Sequence, residues 1–109
     1  GDSGGPETTG YVSGCVLTNT PASGTSTAGF LITQATVAAG TYQGIVELCI
    51  EDATNFAWTS KAILSDNGGL LHVGAGSGAT SVALDRVRIT TVGGSDTFDL
   101  GAINIQYER

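Results

Sequence analysis

Side chains along an extended strand alternate between two faces with a period of two residues, a pattern no helix reproduces over seven positions. The run Ile45-Val46-Glu47-Leu48-Cys49-Ile50-Glu51 keeps that period. Val46, Leu48 and Ile50 fall on one side, Glu47 and Glu51 on the other with Cys49 between them. Wound as a helix, the same residues would scatter glutamate and aliphatic around the whole circumference. Residues 84–92 repeat the pattern, with Val87 and Ile89 inward and Arg86 and Arg88 outward. So do residues 102–108, with Ile103, Ile105 and Tyr107 on one face. Tyr11–Asn19, Phe30–Val37, Phe56–Leu64 and Leu70–Val73 are fainter strand candidates. The intervals Thr20–Thr25, Ala38–Gly40, Glu51–Asn55, Ser65–Gly69, Gly74–Thr80 and Gly93–Asp96 are turn chemistry.

Short connections make neighbouring strands antiparallel. The expected fold is all-β, an antiparallel two-layer β-sandwich of about seven or eight strands, jelly-roll or immunoglobulin-like. A chain of 109 residues has room for one core. Residues 1–10, GDSGGPETTG, are polar, glycine-rich and aperiodic, which predicts an extended or flexible N-terminal arm ahead of a single β-sandwich domain over residues 11–109. The absence of Met fits removal of an initiator residue ahead of Gly1, and equally a processed fragment.

Charge narrows the function. The net charge is −6 and the basic residues are Lys61, Arg86, Arg88 and Arg109 alone. A nucleic-acid binder needs a basic field to displace phosphate counterions, and an anionic membrane surface would repel this chain. Neither partner is expected. No apolar run reaches the length of a membrane-spanning helix, and none reads as a signal peptide. Charged residues are only 13% of the chain, against roughly 25% in an ordinary soluble domain. A surface so sparsely ionised loses little hydration when it is covered by other protein. Packing against protein is the expected mode of action.

Candidate chemistry is thin. Gly1-Asp2-Ser3-Gly4-Gly5-Pro6 spells the nucleophile motif of chymotrypsin-like serine proteases, but that machinery places its His and Asp upstream of the serine. The single histidine, His72, lies far downstream, within a strand candidate and on the face opposite Leu71 and Val73. With no second His or nearby Cys, it reads as a structural or surface residue rather than a metal ligand or pH switch. Asp96 and Asp99, and Glu51-Asp52 with Asp66, match no calcium-loop spacing and read as turn caps. Trp58 alternates with Phe56 and Ser60 as a core anchor, with exposed contact as the alternative. Cys15 and Cys49 read as buried free thiols, with a cross-strand bridge as the other reading. No enzymatic activity, cofactor or metal is expected.

The C-terminal run Leu84-Asp85-Arg86-Val87-Arg88-Ile89-Thr90-Thr91-Val92, then Gly93-Gly94-Ser95-Asp96-Thr97-Phe98-Asp99, then Gly101-Ala102-Ile103-Asn104-Ile105-Gln106-Tyr107-Glu108, resembles the ending of small β-sandwich structural proteins of tailed bacteriophages. The match covers about a quarter of the chain, and Leu100 departs from it where a small residue is commoner. The resemblance implies a virion structural protein assembled in the bacterial cytoplasm. It points first to a capsid decoration, or cement, protein on the shell surface, bound to the major capsid protein and to copies of itself as a dimer or trimer. A tail-fibre or tail-tip receptor-binding domain is the alternative, and a secreted carbohydrate-binding sandwich a further one. The resemblance supplies no catalytic residue. Candidate partner contacts are Asp2, Glu7, Thr8 and Thr9 on the arm, free to drape over a neighbour, and the Arg86 and Arg88 pair. Those arginines are placed either to balance Glu47 and Glu51 on a neighbouring strand or to grip a partner's carboxylates.

Overall fold

A computed structural model of the chain describes residues 1–2, 4–18, 23–34, 39–91, 98 and 101–108. The protein is all-β. Among the described residues five strands, β1 (Val12–Leu17), β2 (Ser23–Ser26), β3 (Tyr42–Asp52), β4 (Ala57–Asp66) and β5 (Leu71–Ala79), form one antiparallel sheet in the order β2-β1-β5-β4-β3.

The β3–β4 and β4–β5 hairpins are closed by side chains the turns require. Asp52 Oδ1 accepts the backbone N–H groups of Thr54 (2.9 Å) and Asn55 (3.2 Å), while its Oδ2 accepts Asn55 Nδ2 at 2.6 Å. In the next turn Asp66 Oδ1 accepts from Gly68 (2.8 Å) and Leu70 (3.0 Å), with Gly69 at φ +82° supplying the left-handed step. An Asx side chain that takes its own turn's N–H groups fixes the reversal and, with it, the register of the hairpin.

The two faces of the sheet differ. The inner face carries Ser13, Cys15 and Leu17 from β1, His72, Gly74 and Gly76 from β5, and Ala62 and Leu64 from β4. The segment 29–34 lies directly on it. Ser13 Oγ donates to Gly29 O (2.9 Å) and accepts the Leu31 N–H (3.0 Å), which clamps that segment over β1. The alternate glycines of β5 make room beneath. A Cβ on Gly74 would stand 2.6 Å from Leu31 O, and one on Gly76 would stand 2.5 Å from Ser13 Cβ and 3.0 Å from the Phe30 ring. Tyr11 packs edge-on against Phe30, with ring centroids 5.0 Å apart, over Gly78. Among the described residues the opposite face is uncovered, with Val16, Ile63 and Ile45 more than half exposed.

Several expectations change here. Gly74–Thr80, read as a turn, is mostly β5: its glycines accommodate overlying chain instead of reversing direction. β2 begins inside the expected break at Thr20–Thr25. Residues 30–34 of the Phe30–Val37 candidate form no strand, and 35–37 lie outside the described residues. Residues 84–91 and 101–108 carry no strand pairing, although their alternation is strand-like. Thr20, the turn at Gly93–Asp96, the calcium candidates Asp96 and Asp99, and Leu100 also lie outside the described residues.

Candidate functional site

Three places gather side chains that could act. The first is the opening turn. Asp2 and Gly5 exchange backbone hydrogen bonds (3.0 and 2.8 Å), and Asp2 Oδ1 accepts the Gly4 N–H at 2.8 Å. The turn aims Asp2 Oδ2 at the chain beyond β5, where it accepts Ser81 Oγ (2.6 Å), Ser81 N (3.1 Å) and Val82 N (3.3 Å). Asp2 is only 1% exposed. The hydrogen bond from Ser81, then that from Gly4, hold its carboxyl well below the usual range despite burial. Glu7 Oε1 reaches the same Ser81 hydroxyl at 3.3 Å.

The second is a buried Asp–His pair. His72, 1% exposed, accepts the Gln34 N–H through Nδ1 (3.1 Å) and meets Asp66 Oδ2 through Nε2 (3.0 Å). A backbone N–H can only donate, so Nδ1 is the acceptor and the ring proton sits on Nε2, directed at the carboxylate. That bond, ahead of the Leu70 N–H, depresses the Asp66 carboxyl. Tyr42 lies edge-on to the imidazole, with centroids 5.3 Å apart. The pair sits at the start of β5, whereas Asp2 is bonded just past its end. The nine-residue strand holds the two about 25 Å apart. They form no common constellation, and Ser3 lies outside the described residues.

The third is the open face. Strand register places Val16, Val73, Ile63 and Ile45 side by side in one row across β1, β5, β4 and β3. Their exposures are 51, 40, 57 and 74%. Leu71 and Val12, also exposed, lie on the same face on either side of the row. A shallow depression opens beside Val16 and Val73, over Gly14 and Ala75 and out to Ser23 and Thr25 of β2. Such a row is an exposed apolar patch of the kind that marks contact surfaces.

The candidate contacts from sequence separate accordingly. Asp2 is turned inward and serves the fold. Glu7 shares Ser81 with it, while Thr8 and Thr9 stay exposed. Arg86 is held by its own neighbour Asp85, Nε to Oδ1 at 2.6 Å and Nη2 to Oδ2 at 3.1 Å, and Arg88 is exposed. Neither balances Glu47, which pairs instead with Lys61 across β3 and β4 at 3.2 Å. Trp58 is half-buried, with its Nε1 buried and without an acceptor. Of the two thiols only Cys15 is buried; Cys49 is exposed on the open face of an edge strand, donating to Glu47 Oε1 at 3.4 Å. Sequence reasoning saw His72's face but missed its partners, and missed the aliphatic row altogether. Among the described residues no group of three His, Cys, Asp or Glu side chains could hold a metal ion. No protein-family model, curated protein or solved structure matches the chain.

Proposed function

We propose that this chain is a structural module of a virus particle, a capsid decoration protein that stabilises the shell by covering apolar surface on the major capsid protein and on copies of itself. One observation carries the reading. Among the described residues the buried hydrophobics are only Cys15, Leu17 and Ala62, while fifteen large hydrophobics stand exposed. Three fully buried hydrophobic side chains, only one of them as large as leucine, supply little of the burial that folding normally rests on. A partner that binds the folded chain adds the rest through mass action. The likeness of residues 84–108 to phage structural proteins supplies the kind of partner, and the sparse charge keeps desolvation of the contact inexpensive.

In this reading the five-stranded sheet is one layer of a two-layer sandwich, and the alternating segments 84–91 and 101–108 pair as strands of the second layer on docking. Val46 and Ile50, exposed on the inner face of β3, are the apolar surface waiting for that layer. Ile103, Ile105 and Tyr107 are 65, 67 and 81% exposed, with the period a strand would bury.

The test is made on particles. Shells lacking this chain should break at lower temperature and under milder osmotic shock than complete shells, and adding the purified chain should restore them. Electron microscopy should place the added density on the shell. Unchanged resistance, or density confined to a tail, overturns the decoration reading.

A further inference from the structure

We propose that the open face of the sheet is a self-complementary docking surface for a second copy of this chain, packed sheet against sheet across the Val16–Val73–Ile63–Ile45 row. The inference deepens the assembly reading by naming what covers that face.

Three features favour a second copy. The first is area. At about 3.3 Å per residue and about 4.8 Å between strands, strands of 6, 4, 11, 10 and 9 residues present a face of about 600 Å², at the lower bound of roughly 600 Å² per partner for a specific, stable interface. The second is charge. A chain at net −6 should repel itself, yet among the described residues the only charged side chains on the open face between the Leu71 and Val12 levels are Lys61 and Glu47. Those two neutralise each other at 3.2 Å. Two such faces can meet without unpaired like charges, which is the condition for self-association of an acidic protein. The third is shape. Ile45, the most exposed member of the row, stands proud at the β3 end, and the depression over Gly14 lies at the β1–β2 end. A two-fold axis parallel to the strands, between β5 and β4, carries β3 of one copy over β1 of the other at the same level along the strands, and so sets each Ile45 on Val16 at the rim of the other copy's depression. An isologous contact needs this reciprocal fit. Aligned sheets pack about 10 Å apart, close enough for the two rows to interdigitate.

The isolated chain tests this apart from any shell. Light scattering or sedimentation over a dilution series should find a reversible species at twice the 10.9 kDa chain mass. Ile45→Lys should weaken that dimer about tenfold or more, since a charge then replaces the most exposed apolar contact of the row. Its circular dichroism should stay near that of the parent and its melting near that of the parent diluted to monomer, because Ile45 is 74% exposed on an edge strand. Val46→Lys, on the same strand but the inner face, should leave the dimer intact. A chain that stays at monomer mass overturns the proposal, as does a dimer that survives Ile45→Lys or is lost on Val46→Lys. If the monomer instead loses shell binding on Ile45→Lys, the occupant is the shell protein, and the decoration reading stands without the dimer.

Discussion

His72 and Asp66 show what single residues do here. The alternation around Leu71 and Val73 puts His72 on the face opposite them, with a structural or a surface role both open, and the structure shows that face to be the inner one. Its partners could not be read, because Gln34 comes from a segment that crosses the sheet and Asp66 from the far side of a turn. Asp66 gives this pair a pH signature. Its carboxyl is depressed in the fold by His72 and by the Leu70 N–H. A group bound more tightly in its ionised form stabilises the fold above its unfolded pKa, and loses that contribution as pH falls through the folded value. Asp66→Asn should therefore be less stable than the parent at neutral pH, and the gap should narrow on acidification below about pH 4, where the unfolded carboxyl takes its proton. Urea midpoints measured between neutral and acid pH decide it. A gap that stays constant through that range would show that Asp66 acts by shape alone.

At the scale of elements, strands whose polar and apolar residues alternate were legible, and strands of small residues were not. β3 and β4 follow from their sequence; β5 follows only over Leu71–Val73, because Gly74, Gly76 and Gly78 read as turn residues in the absence of knowledge of what lies over them. Glycine weakens a strand interior by its own propensity. Here it is needed because the 29–34 segment and Tyr11 rest directly on the backbone. Gly76→Ala should then destabilise the protein by about 1–3 kcal/mol, the range for overpacking, although alanine is the better residue in isolation. Thermal melts would show it, and an unchanged or raised midpoint would mean the overlying segment yields. The aliphatic row was illegible for a different reason. Each strand's period shows which of its residues share a face, but only register shows that Val16, Val73, Ile63 and Ile45 stand abreast.

For the whole molecule, the expected all-β class holds, and the first ten residues take a part that their composition conceals. Gly1 O accepts the N–H groups of Asp85 (3.1 Å) and Arg86 (3.3 Å), the terminal ammonium donates to Arg86 O at 2.8 Å, and Asp2 holds Ser81 and Val82. The opening turn thus ties down the chain leaving β5, within the stretch whose composition predicts an extended or flexible arm. Deleting residues 1–9 should speed amide exchange at Ser81, Val82, Asp85 and Arg86 while β3 and β4 keep their protection. Equal protection throughout would mean residues 81–86 are held by other contacts. The radius of gyration, 14.1 Å against about 13 Å for a domain this long, agrees with apolar segments not drawn into a core.

The placement of the two thiols has a consequence of its own. Cys15 lies inward on β1 and Cys49 outward on β3, with β5 and β4 between them. Three strand spacings amount to about 14 Å, twice the reach of a cystine bridge. Oxidation therefore cannot staple this fold from within, and any bridge the folded chain forms must run to another molecule. A reducing agent therefore has no bridge between these two thiols to break within the fold.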